Sequence, residues 1–98
     1  MNTNAIALAE EQAALCRVLG NTRRLLILWQ LSEGELPVYE IAARAGSSLQ
    51  NVSQHLNLLK RAGIVISRRE GQTIYYRIAN REFVNNCPAM LRAPKTLE

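Results

Sequence analysis

Residues 47–63, SSLQNVSQHLNLLKRAG, concentrate hydrogen-bonding chemistry that carries little charge. Gln50, Asn51, Ser53, Gln54, His55 and Asn57 fall where a solvated helix face would more often carry Glu and Lys. A side-chain amide offers a donor and an acceptor side by side, as adenine does on its major-groove edge, and a hydroxyl pairs with either kind. Lys60 and Arg61 close the run with positive charge. The other reactive groups are two thiols, Cys16 and Cys87. His55 is the sole histidine, so it cannot build a histidine-rich metal site. No nucleophile–base pair stands at a known spacing and no glycine loop is built to cradle phosphate, so no enzymatic activity and no cofactor are expected.

The chain that must position these groups has 98 residues, read as one domain over 1–98, and is 48% hydrophobic, enough for a modest core. A domain this small buries a limited share of its surface, so a partner subunit would add core. The net charge of +4 and pI near 9.6 point to a polyanionic partner, and composition alone does not separate nucleic acid from an acidic membrane. No run approaches the roughly 18 apolar residues of a membrane span. The start, MNTNAIALAEEQ, lacks a basic region followed by an apolar run, so no signal peptide is expected and a cytoplasmic location follows. In a reducing cytosol two distant cysteines do not suggest a structural disulfide. Leu97-Glu98 are read as a cloning remnant and given no weight.

Periodicity predicts a helix over 5–19, with Ile6, Ala9, Ala13 and Cys16 as one stripe. Leu8, Leu15, Val18 and Leu19 widen that surface beyond what one small neighbour would cover. Gly20 breaks the chain, and Asn21 or Thr22 caps a second helix that is apolar nearly all round and therefore central, ending at Gly34. VYEIAARAG predicts a short third helix with Ile41, Ala42 and Ala45 inward and Gly46 as its left-handed end. The fourth helix is the quoted stretch, capped by Ser48 or Ser47 and stopped by Gly63. IVISRREGQTIYYRIA then changes period and predicts a hairpin. With Glu70-Gly71 as the turn, Arg69 faces Gln72, Ser67 faces Ile74 and Val65 faces Tyr76. Val65, Ile74, Tyr76 and Ile78 then share an apolar face, with Arg68, Arg69 and Gln72 at the tip. In NREFVNNCPAMLRAP, either a helix from about Arg81 bends at Pro88 or a short helix begins just before it.

Two short helices joined by the small residues AGSS form a helix-turn-helix pattern. Ala42 must be small where the helices cross, Gly46 permits the turn, and Val52 anchors the second helix. The adjacent basic hairpin makes the whole a winged helix-turn-helix, mainly α with a small β-hairpin and a C-terminal helix. On a wheel, Leu49, Val52, Leu56 and Leu59 form the inward stripe of the fourth helix. Gln50, Ser53, Gln54, Asn57 and Arg61 form the outward stripe, suited to base edges, and His55 lies at the margin of the core. Arg68 and Arg69, with Lys60 and Arg61, would meet phosphates, which set affinity rather than sequence choice. Arg23 and Arg24 have two readings, a phosphate contact or a local pair or helix cap.

LGNTRRLLILWQL, VYEIAARAG, NVSQHLNLLKRAGIV and RREGQTIYYRI together resemble the ArsR/SmtB family of transcriptional repressors, over residues 19–78. The resemblance implies a homodimer built through the first and last helices. It also implies binding to near-palindromic double-stranded operator DNA, with release by an inducer. It places Ser48, Gln50, Asn51, Ser53, Gln54 and His55 in the recognition set with Arg68 and Arg69 on the wing. The wheel and the family differ on Asn51 and His55.

Metal-sensing members carry Cys-x-Cys in or before the third helix, or Asp and His on the last. Here ELPVYEIA has no cysteine and REFVNNCPAML no histidine, so no such metal site is expected. Some members sense persulfides or oxidants through a cysteine near the start and one on the last helix. Cys16 and Cys87 are similar to that pair, which makes a sulfur species, an oxidant or another small effector the expected inducer class. Two other readings of the thiols stay open, ordinary packing and a soft-metal site shared across a dimer. A winged-helix protein-interaction module without DNA binding is the alternative function.

Overall fold

The computed structural model describes residues 1–95 of the expected domain; Leu97-Glu98 lie outside the described residues. Its elements run α1 (Thr3–Leu19), α2 (Thr22–Leu31), β1 (Leu36–Pro37), α3 (Val38–Ala45), α4 (Leu49–Arg61), β2 (Val65–Glu70), β3 (Thr73–Ile78), α5 (Arg81–Asn86) and α6 (Pro88–Leu91). Three of the first four helices, α1, α2 and α4, start on a side chain that accepts an otherwise orphan backbone N–H. Asn2 accepts from Ala5, Asn21 from Arg24 and Ser48 from Asn51. Pro37 precedes α3 without a side-chain cap. Gly46 ends α3 at φ 61°, a left-handed conformation that glycine adopts without steric penalty.

α2 is the hub. Ile27, Leu28 and Leu31 are buried against Ile41 and Ala42 of α3, Val52, Leu56 and Leu59 of α4, and Val65, Tyr76 and Ile78 of the sheet. Leu26 is the exception on α2, at 39% exposure. Gln30 is buried beside this core and donates from Nε2 to the Ile41 carbonyl at 3.4 Å, tying α2 to α3. The three strands order β1-β3-β2, all antiparallel. The two-residue strand Leu36–Pro37, which periodicity did not predict, pairs with Tyr76 and Tyr75.

The hairpin register differs from the expected one by two residues. Ser67 pairs with Tyr76 and Arg69 with Ile74, so the turn residues are Gly71 and Gln72 rather than Glu70 and Gly71. Gly71 has φ 65°, fitting the hairpin turn that wants glycine at its first central position. A slip of two keeps every side chain on its expected face. Val65, Tyr76 and Ile78 are buried as expected, and Ile74 packs at the margin of the core.

Leu49 corrects the helical wheel. It is 52% exposed, whereas Val52, Leu56 and Leu59 are at most 1% exposed. The wheel gives an angle but not how far the neighbouring elements reach along the axis, and they cover Val52 but not Leu49. At the C-terminal end both readings hold in part. One helix stops at Asn86 and another begins with Pro88 in its first turn, the position where its missing N–H does no harm. Trp29 donates from Nε1 to the Ala89 carbonyl at 3.0 Å, and Arg81 donates to the Ser32 carbonyl at 3.0 Å, so both short helices are fastened to the end of α2.

Candidate nucleic-acid interface

One face of α4 is core and the other is open. Gln50, Gln54, Asn57, Lys60 and Arg61 are exposed, and Ser53 is half-buried. Among the described residues none of these side chains bonds to another protein group, so their donors and acceptors are free for a partner. Lys60 and Arg61 stand in the last turn, where cations also suit the helix dipole.

The first turn of α4 is pinned. The Ser48 hydroxyl accepts from the Asn51 N–H at 3.1 Å, and the Ser47 hydroxyl donates to Asn51 Oδ1 at 3.0 Å. Asn51 therefore turns toward the α3–α4 junction, away from the outward stripe, while Ser48 remains exposed at the tip of the helix. His55 is half-buried facing α2, where Arg24 Nη1 donates across 3.5 Å to its Nδ1. A ring nitrogen accepts only when unprotonated. Burial, then the charges of Arg24 and Arg23, hold the His55 pKa below its ordinary value of 6.5. Both residues thus sit where the wheel puts them rather than on the outward face the family resemblance implies.

Arg24 has a second set of partners. Its Nε donates to the Val18 carbonyl at 2.6 Å and Nη2 to the Arg17 carbonyl at 3.5 Å. Of the two readings it takes the helix cap, joining the end of α1 to His55 of α4. The neighbouring cavity, lined in part by Arg23, Leu26, Asn51 and His55, holds about 10 Å³. That is room for one water at most.

The two wing arginines part company. Alternation along β2 puts them on opposite faces. Arg68 donates to Glu35 from Nε at 2.9 Å and Nη2 at 2.7 Å, and to Glu70 from Nη1 at 2.7 Å. Its guanidinium also lies 4.5 Å from the centroid of the Tyr75 ring, a cation–π distance. The bidentate pair holds the Glu35 carboxyl below its usual pKa and raises that of Arg68 further. Arg68 is therefore clasped between two carboxylates along the wing, not free at its tip. Arg69 is exposed and has no carboxylate partner among the described residues. Arg77 is exposed as well, with one bond to the Ile78 carbonyl. The clasp was missed because Glu35 lies 33 residues from Arg68. The Arg68–Tyr75 pairing is legible once Gly71-Gln72 is taken as the turn.

The two thiols are free. Cys16 is exposed on α1, and Cys87 is half-buried at the junction of α5 and α6.

This geometry has close counterparts. Residues 21–67, from the cap of α2 into the wing, match the model of the bacterial regulatory protein, arsR family. The chain is 34% identical to the reduced form of HlyU from Vibrio cholerae, covering 83% of this chain and 85% of that one with a TM-score of 0.77. The chain belongs to the ArsR family. Another neighbour is the homodimeric winged helix-turn-helix DNA-binding domain of a possible ArsR-family transcriptional regulator from Mycobacterium bovis. That match is 39% identical, covers 87% of this chain and 79% of that one, and has a TM-score of 0.78. The HTH-type transcriptional regulator KmtR of Mycobacterium tuberculosis is 42% identical over 64 residues, 65% of this chain and 49% of KmtR. The chain thus spans about half the length of that curated relative. In the ArsR frame, α3 and α4 are the helix-turn-helix and β2–β3 the wing; the matched segment stops within β2, so α1, β3, α5 and α6 lie outside it.

Proposed function

We propose that the chain acts in the cytoplasm as a homodimeric repressor that binds double-stranded operator DNA through α4 and the wing. The observation that carries this reading is the open amide face of α4, Gln50, Gln54 and Asn57, backed by the fully buried Val52, Leu56 and Leu59. A rigid helix presenting adjacent donors and acceptors suits major-groove edges. In this reading Gln50, Ser53, Gln54 and Asn57 contact bases. Lys60, Arg61 and Arg69 contact phosphates, with Ser48 at the tip of the helix. Arg68, Asn51 and His55 act by positioning the elements that touch DNA. Dimerisation is supported by α1, which has no buried residue and exposes Ile6 at 47% and Leu8 at 58%, and by the M. bovis domain being homodimeric.

The test is a titration onto the protein's own promoter duplex and onto a random duplex at several salt concentrations. The expected log–log slope is about −0.9 for each phosphate neutralised, with tighter binding to the promoter. Binding that ignores salt, or that treats both duplexes alike, would overturn the reading.

For release we favour a thiol switch. Cys16 and Cys87 would give up two protons and two electrons to a polysulfide or an oxidant, leaving a disulfide lighter by two hydrogens. The support is their placement on the two end regions that the resemblance assigns to the dimer interface. Intact mass before and after treatment, paired with a gel shift, decides. A cross-link with lost operator binding is the expected result. No mass change, or a change that leaves binding intact, returns both cysteines to packing.

A further inference from the structure

Leu49 is the one large apolar side chain that α4 leaves exposed. It is the first residue of α4, and it stands 52% exposed beside Ser48 and Gln50, both polar and both open. By angle it lies between Val52 of the inward stripe and Ser53 of the outward one, one turn before both. The turn that carries it is locked on both sides, by the Ser48 hydroxyl on the Asn51 N–H and by the Ser47 hydroxyl on the Asn51 amide oxygen. An apolar side chain thus stands open on a capped first turn, at the end of α4.

Resting on the DNA-binding reading above, we infer that Leu49 determines specificity by packing on the C5-methyl group of a thymine. The N-terminal residues of a recognition helix are the ones that reach base edges. Beside the hydrogen-bond donors and acceptors on those edges, the thymine methyl is the one bulky apolar group. Leu49 has nothing to offer a donor or an acceptor, and covering a methyl removes apolar surface from water on both sides. Gln50 and Ser53 beside it fix which neighbouring bases are hydrogen-bonded, and Leu49 makes the adjoining pair distinguishable from one without a methyl.

The probe is the duplex that the wild-type protein enriches from a randomised library, with each thymine replaced in turn by deoxyuridine, which lacks only the methyl. Wild type is expected to lose about fourfold in affinity at one thymine position per half-site, the worth of one methyl-sized group. Leu49→Ala is expected to bind the thymine duplex about as weakly as wild type binds the deoxyuridine duplex, with no further loss on substitution. Leu49→Met, which keeps an apolar contact, should restore the methyl dependence. An enriched duplex on which every deoxyuridine substitution affects wild type and Leu49→Ala equally overturns this inference and leaves DNA binding standing. A change in oligomeric state of Leu49→Ala without DNA would also overturn it, because the side chain would then cover protein. A library that enriches nothing overturns the DNA-binding reading, and this inference with it.

Discussion

The middle of the chain and its ends solve opposite problems with the same apolar residues. From α2 through β3 the chain closes its own core: Ile27, Leu28, Leu31, Ile41, Val52, Leu56, Leu59 and Val65 are at most 1% exposed. α1 is longer than any of these helices, at 17 residues, yet none of its residues is buried. Only its last turns, Leu15, Val18 and Leu19, pack against the core, and Arg24 fastens their carbonyls to α2. The stripe formed by Ile6, Ala9, Ala13 and Cys16 faces away from that core. The helix-turn-helix and wing thus share a core closed within one chain, whereas α1 leaves an apolar stripe open, which a second chain covers in the proposed dimer. If the proposed dimer holds, folding and assembly rest on different segments, and substitutions should separate them.

The largest separation is expected from Leu56→Ala. It removes a fully buried side chain, and deletions of this kind cost about 2–5 kcal/mol. Urea denaturation should show that loss at every protein concentration. Ile6→Ser or Leu8→Ser should instead raise the dimer dissociation constant roughly tenfold or more in sedimentation, leaving the helix content of the monomer unchanged. If the α1 variants unfold as Leu56→Ala does, α1 belongs to the core and the distinction fails.

Within the helix-turn-helix and wing the comparison narrows to two neighbouring arginines. Glu35→Gln breaks the bidentate hold on Arg68 and should weaken operator and random duplexes to a similar, modest extent, with little change in salt slope. Arg69→Ala should lower the slope by about one phosphate. Equal slope losses would place both guanidinia on the backbone.

The smallest effect concerns His55. Its folded pKa lies below the unfolded value of 6.5, so the unfolded chain takes up the proton first as pH falls. Its contribution is fully present above about 6.5 and is lost as pH drops from there toward the depressed folded value. Urea midpoints across that window should fall for the wild type and fall less for His55→Gln. Identical pH profiles would mean that burial and the neighbouring Arg24 and Arg23 do not depress the His55 pKa.

What the sequence made legible follows the range of the interactions involved. Ala42, Gly46 and Val52 report a helix-turn-helix because a close crossing, a left-handed turn and an anchor are local steric demands. The inward and outward faces of α4 are legible from periodicity alone. Leu49 is not, since its exposure depends on where other elements stop. The hairpin faces are legible even with Glu70-Gly71 taken as the turn, because a register shift of two preserves parity. The Arg68–Glu35 clasp and the Arg24–Val18 cap are tertiary, and no spacing announces them. At the C-terminal end, Pro88 marked the break but could not say that helix lies on both sides of it.

The central claim is that α4 reads bases while the wing and the end of α4 hold the backbone. The most direct measurement compares Gln54→Ala with Arg69→Ala on the promoter duplex and a random duplex across a salt series. Gln54→Ala is expected to reduce the preference for the promoter by about 1–3 kcal/mol with an unchanged slope. Arg69→Ala is expected to weaken both duplexes alike and to reduce the slope by about one. Two variants that change preference and slope in the same way would contradict the account.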